Sequence, residues 1–133
     1  MINPNKPCIF CKIPKKYIIF ENDLAHASFD SYPVSKYHSL IITKRHIKSY
    51  FDLTQKEILA CNELILKMKK KIMKKDKLVK GFNLGTNSGK ISGQSINHCH
   101  IHLIPRRKND VQKPQGGVRS VIPSKQHYIR KNK

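Results

Sequence analysis

His98-Cys99-His100-Ile101-His102-Leu103-Ile104-Pro105-Arg106 is the stretch on which the reading of this chain turns. Histidine alternates with an apolar residue three times in succession, and a β-strand repeats every two residues. The pattern predicts a strand that sets His98, His100 and His102 on one face and turns Cys99, Ile101 and Leu103 into a core. Neighbouring imidazoles on such a face stand about 7 Å apart, close enough to serve one phosphate group. Histidine titrates near neutral pH, so the row can supply a nucleophile, a proton donor and a metal ligand. Three of the seven histidines at strict i, i+2, i+4 spacing are a poor fit to a half-exposed strand that is His-rich by chance.

Immediately before this strand, Thr86 to Ser95 is rich in Gly, Ser and Asn. Within it the backbone N–H groups and hydroxyl of Gly93-Gln94-Ser95 are suited to phosphate oxygens, and Asn87, Ser88 and Gly89 can join the same cradle. Further upstream, Tyr17–Phe20, Leu24–Phe29 and His38–Thr43 read as strands, with Asn22-Asp23 turning between the first two. Phe82–Gly85 reads as a fourth. Thr54-Gln55-Lys56-Glu57 is a capping box that opens a helix, and Ile58, Cys61, Ile65, Met68 and Ile72 follow as an apolar stripe suited to packing. Five strands and one long helix predict an α+β domain with a mostly antiparallel sheet. Asp30, just after the second strand, suits either a ribose diol or a turn cap.

The 133 residues suffice for one domain with a real core. No run of about 20 apolar residues predicts a membrane span, and Met1 to Pro7 lacks the apolar segment of a signal peptide. Cys8, Cys11, Cys61 and Cys99 are accordingly expected to stay reduced in the cytoplasm. The net charge of +19 favours polyanionic partners. Its densest run, Lys67 to Lys80, reads as a solvated helix face, whose apolar stripe serves the core better than a membrane. Cys8-Ile9-Phe10-Cys11 is a C-x-x-C that can give two thiolates to zinc, with histidines as the natural complement. A reduced pair or a redox site is the alternative, and the surrounding prolines disfavour the strand-to-helix junction that a redox site uses.

Together these residues resemble the histidine triad (HIT) superfamily of nucleotidyl hydrolases and transferases. His98 to Ile104 matches its His-φ-His-φ-His-φ-φ motif, with Cys99 at the first apolar position. Phe29-Asp30, Pro33-Val34, His38, Lys44-Arg45-His46, Gly81-Phe82-Asn83, Asn87 and Gly93-Gln94-Ser95 follow in family-like order. Residues 1–107 correspond to the HIT domain. Residues 108–133 read as its basic, extended C-terminal tail, in which Gly116-Gly117-Val118-Arg119 and Ile122-Pro123 are similar to the extension of a bacterial subgroup.

The resemblance implies that His100 is the nucleophile, forming a nucleotidyl-histidine intermediate that water hydrolyses. It implies that His102 holds phosphate oxygens, that Asp30 binds the ribose, and that Asn87, Gly93, Gln94 and Ser95 meet phosphate or leaving group. A homodimer paired across the helix and a strand edge is expected. By similarity to galactose-1-phosphate uridylyltransferases, Cys8, Cys11, His46 and His98 are expected to bind a structural zinc, with His38 or His26 able to replace His46. The expected substrates are dinucleoside polyphosphates, such as diadenosine tetraphosphate, or nucleoside phosphoramidates. The charges of Arg106-Arg107-Lys108 and Arg119 favour the longer polyphosphate. The other reading is a basic zinc-containing nucleic-acid binder, with adenylated DNA as the substrate that would join the two readings. The Cys pair and the histidines are too far apart for a compact zinc finger, and aromatics are too few for a stacking platform.

Overall fold

The β-branched and aromatic runs form strands β1 (Ile18–Glu21), β2 (Ala25–Phe29), β3 (Ser39–Thr43), β4 (Val79–Thr86) and β5 (His100–Arg107), with one long helix, α1 (Gln55–Lys75). The structure, a computed structural model, describes residues 8–131, so Met1 to Pro7, read above for a signal peptide, lie outside the described residues. The strand order is β1-β2-β3-β5-β4, and every neighbouring pair is antiparallel. β4 is longer than the sequence pattern marks, and β5 begins two residues late. At that point the His98 N–H donates to the Ile96 carbonyl and the Cys99 N–H to the Ile47 carbonyl, so neither joins the ladder.

Register decides what each face carries. His102 pairs with Leu40 and His100 with Ile42, while Leu40 pairs with Ser28 and Ile42 with His26. Side chains alternate across a strand. One face therefore presents His26, Ser28, Leu40, Ile42, His100 and His102. The other packs Ala25, Ala27, Ile41, Ile101 and Leu103 under α1.

The capping box starts α1 as expected. The Glu57 N–H donates to the Thr54 hydroxyl at 3.1 Å, and the Thr54 N–H donates to the Glu57 carboxylate at 2.9 Å. Arg45 donates to both oxygens of the same buried carboxylate, at 2.7 and 3.0 Å. These bonds, the Arg45 guanidinium first, hold Glu57 at a pKa of about 2. The helix buries Cys61, Leu64, Met68 and Ile72. Leu64 thus takes the place the sequence stripe gave to Ile65, and Ile58 and Ile65 are only half-buried. Each residue turns the helix by about 100°, so Ile65 lies beside the line of Cys61, Leu64 and Met68 and packs at the margin of the core. Each fully buried aliphatic side chain contributes about 1.5–3 kcal/mol.

The C-terminal segment is wound into 3-10 turns at Gly117–Val121 and Pro123–Lys125 rather than extended throughout. Arg119 ties the two turns together by donating to the carbonyls of Lys125 and Gln126 at 2.7 and 3.2 Å. Gly116, at φ +91°, lies so close to the Gln126 carbonyl that a Cβ would sit 2.5 Å from its oxygen, which enforces glycine. No helix among the described residues is long and apolar enough to cross a membrane.

Candidate active site and metal centre

The histidine face of the sheet forms the floor of a cleft of about 740 Å³. His100, His102, Asn87, Gly93 and Ser95 line one part, and Ile13, Tyr17, Ile19 and Leu40 give it apolar walls. Asp30 also lines the cleft. The rings of His100 and His102 are 5.3 Å apart, closer than the strand repeat because they tilt toward each other.

The hydrogen-bond partners fix the protons on the rings. His100 Nδ1 lies 2.7 Å from the His98 carbonyl oxygen, which can only accept, so Nδ1 carries the hydrogen and Nε2 keeps its lone pair. The Val34 N–H donates to His38 Nδ1 at 3.1 Å, so the His38 hydrogen is on Nε2. That Nε2–H donates to His102 Nδ1 at 2.9 Å and lies 3.4 Å from the Asp30 carboxylate. In its neutral form His102 therefore carries its hydrogen on Nε2. Burial, then the neighbouring His100 and His38, push the His102 pKa down to about 4. Burial also lowers that of His38, against the pull of Asp30. A lone-pair nitrogen on His100 thus stands beside an N–H donor on a neutral His102. Sequence reasoning weighed His38 as a spare zinc ligand and missed this relay; its only trace was a histidine opening the third apolar run.

Asp30, His38 and His102 also hold their ligand atoms within 4.8 Å of one another. The Val34 N–H argues against a metal there, because it keeps the hydrogen on the nitrogen that would have to ligate. Asp30 fills the turn-capping role as well as lining the cleft, since its carboxylate accepts from the Tyr32 N–H at 2.9 Å.

The glycine-rich loop departs from the sequence expectation in its donors. The N–H groups of Gly93 and Gln94 are spent within the loop, on the carbonyls of Lys90 and Gly89. The buried Gln94 amide is also committed: its oxygen accepts from the Gly89 N–H, and its nitrogen donates to the Lys48 and Ile96 carbonyls. Gln94 braces the loop, whereas Asn87 and Ser95 have no side-chain partner among the described residues and line the cleft. The three arginines that the electrostatic argument for a long polyphosphate used are held by neighbours in the scaffold. Arg106 is held by Asp110 and Asn83, Arg107 by Asp76 and the Lys36 carbonyl, and Arg119 by tail carbonyls. These guanidinium groups are structural ties, and among the described residues Lys16 is the cation that lines the cleft.

At the start of the histidine run, the ligand atoms of Cys8, Cys11, His46 and His98 lie within 4.8 Å of one another. Cys8 Sγ is 3.5 Å and Cys11 Sγ 3.4 Å from His98 Nδ1. Cys11 Sγ is 3.1 Å and His98 Nδ1 3.2 Å from His46 Nδ1. Tetrahedral zinc, with its usual bond lengths to sulfur and nitrogen, sets such separations at about 3.3–3.6 Å; the two to Cys8 and Cys11 from His98 match, the two to His46 are a few tenths of an ångström shorter, and the two-thiolate, two-imidazole donor set suits the ion. His98 Nε2 donates to the Thr43 carbonyl at 2.6 Å, which leaves the Nδ1 lone pair facing the two sulfurs. Of the three histidines weighed as fourth ligand, His46 is the one in place. His38 is in the relay, and His26 is buried with Nδ1 unpartnered.

Residues 12–109 match the HIT domain. The chain is 38% identical over 104 residues to the adenosine 5'-monophosphoramidase of Saccharomyces cerevisiae, covering 75% of this chain and 63% of that one. A HIT family protein from Bacillus anthracis superposes with a TM-score of 0.70 at 35% identity, over 80% of this chain and 81% of that one. A zinc-bound histidine triad family protein from Mycobacterium smegmatis superposes with a TM-score of 0.69 at 25% identity, over 77% of each chain.

Proposed function

This chain belongs to the HIT domain family, and we propose that it hydrolyses adenylated small molecules through a nucleotidyl-histidine intermediate. The observation that carries the reading is the His100 ring in the cleft, with Nδ1–H held by the His98 carbonyl and Nε2 left as a lone pair. His100 Nε2 attacks the α-phosphorus, a P–N bond forms, and the bond to the leaving group breaks as that group takes up a proton from solvent. His102 Nε2–H steadies the phosphoryl oxygen on which charge develops. Water then cleaves the P–N bond and releases the nucleotide. Asp30 is assigned to the ribose hydroxyls, and Asn87 and Ser95 to the phosphate or leaving group.

Phosphoramidates are the favoured substrate class over dinucleoside polyphosphates. The yeast relative is named for that activity, and the arginines that spoke for a longer chain of phosphates are spent in the scaffold. Zinc is assigned to Cys8, Cys11, His46 and His98 on their donor set. When bound it cross-links the N-terminal segment to the head of β5, and no step of the reaction passes through it. A homodimer belongs to the same reading. β4 is an unpaired sheet edge with Leu84 exposed, and Leu59, Leu66 and Met73 stand exposed along α1 at heptad spacing.

The test is AMP release from adenosine 5'-phosphoramidate and from diadenosine tetraphosphate, with His100→Ala beside the wild type. The variant is expected to lose about 10³-fold or more in kcat/KM while keeping its melting temperature. Full activity in a folded His100→Ala protein overturns the mechanism, and the ratio of the two wild-type rates decides the substrate class.

A further inference from the structure

The residues between the two cysteines of the C-x-x-C are not idle spacers. Ile9 and Phe10 both line the cleft. The Phe10 ring meets the His100 ring edge-on at 5.0 Å between centroids and 70° between planes. It meets the His98 ring at 6.2 Å and 81°. Phe10 therefore sits between a residue of the metal cluster and the residue assigned as nucleophile. A short span anchored at both ends, by Cys8 and by Cys11, has little freedom to move its two central residues.

We infer that Phe10 is a positioning residue for His100, and that it holds this place because the Cys8/Cys11/His46/His98 clip is closed by a metal ion. The inference rests on the proposed nucleotide chemistry for its substrate, though its structural half stands apart from it. Three facts support it. Among the described residues, the Cys8–Cys11 segment has one backbone tie of its own, the Cys11 N–H to the Cys8 carbonyl at 3.2 Å. Its side-chain hydrogen bonds run from the two sulfurs to His46 and His98. Ile9 is 61% exposed, so burial does not anchor the loop at that residue. Two thiolates this close repel unless a cation lies between them. An unfilled clip thus loses its cross-link, and the Phe10 ring loses its support. Edge-to-face aromatic contacts of this kind contribute about 0.5–1.5 kcal/mol beyond their area. Metal binding would then read out as pocket formation, with Phe10 as the mechanical link.

The test combines proton NMR of the His100 ring, calorimetric binding of AMP, and zinc content, on zinc-loaded and chelator-stripped protein. Wild type, Phe10→Ala and Phe10→Leu are compared. In the loaded wild type the His100 ring protons should carry a ring-current shift from Phe10. Stripping zinc and replacing Phe10 by Ala should each abolish that shift and each raise the AMP Kd about tenfold. The two effects should not add, so stripping Phe10→Ala costs less than about twofold more. Phe10→Leu should keep its zinc, lose the shift and recover part of the AMP affinity. A stripped wild type with its shift and AMP affinity unchanged overturns the inference. So does Phe10→Ala losing as much on stripping as the wild type, which would route the coupling through the His98 carbonyl instead. Metal-dependent movement of the His100 signals in a protein that binds no AMP supports the inference and removes the nucleotide reading alone.

Discussion

Cys8, Cys11, His46 and His98 gather at the head of β5, and Asp30, His38 and His102 gather two residues beyond His100. Both groups hold their ligand atoms within 4.8 Å, and both combine histidine with groups that become anions. They differ in the partner of the ring nitrogen that faces away. At His98 that partner is the Thr43 carbonyl, an acceptor, which takes the hydrogen to Nε2 and leaves a lone pair toward the sulfurs. At His38 it is the Val34 N–H, a donor, which takes the lone pair and leaves an N–H toward His102. One backbone atom of opposite polarity turns a similar cluster from a ligand set into a proton relay.

The comparison breaks most sharply at the metal. Cys11→Ala and His98→Ala should drop bound zinc from about one ion per chain to near none, because structural zinc is held by its full ligand set. His38→Ala should leave zinc content unchanged. Zinc measured by atomic absorption after dialysis checks both, and zinc loss in His38→Ala would erase the distinction between the clusters.

A smaller effect is expected from the relay. His38→Gln should lower kcat about 10–100-fold with KM nearly unchanged, since the residue orients His102 and touches no substrate. The pH dependence has a defined sign. His102 is held near a pKa of about 4 in the fold and reverts to about 6.5 in the unfolded chain. Between those values the unfolded chain binds the extra proton, so stability rises with pH through that window, is whole above it, and is lost as pH falls toward 4. A stability profile by denaturant titration should flatten over this range in His102→Asn. An unchanged slope would show that another group carries it.

The smallest effect tests the scaffold beneath the metal clip. Glu57→Gln keeps a capping-box side chain but removes the charge that meets Arg45, and should cost about 2 kcal/mol. The wild-type contribution should be present above pH 4.5 and fade as pH falls toward about 2, where Glu57 protonates in the fold. Urea unfolding at pH 7 and pH 3 checks this, and equal losses at both would remove the charge from the account.

The fold was legible to the extent that its signals are local. The alternation in His98–Arg106, the capping box at Thr54 and the C-x-x-C each lie within a few residues, and each names its element or its chemistry without the rest of the chain. Glu57 shows where locality runs out. The sequence marks it as a cap, but its buried charge is met by Arg45, twelve residues upstream in the segment that follows β3. Gln94 and the arginines show the same limit, since a polar side chain beside an active loop looks alike whether it faces the cleft or braces the scaffold.

Side-chain periodicity and residue chemistry by themselves determined the antiparallel α+β sheet, the one long helix, the histidine row and the pairing of Cys8 with Cys11. Tertiary structure alone selected His46 over His38 and His26, placed Phe10 against His100, and spent Arg106, Arg107 and Arg119 on carboxylates and carbonyls. It also set the hydrogen on His38, His98, His100 and His102. The physical reason is that the element is chosen by neighbours in sequence. The working state of a histidine is chosen by the atom that its second nitrogen meets: that atom is 55 residues away for His98 and 64 for His102, and even the nearer partners, Val34 for His38 and His98 for His100, are placed by the backbone path of the fold.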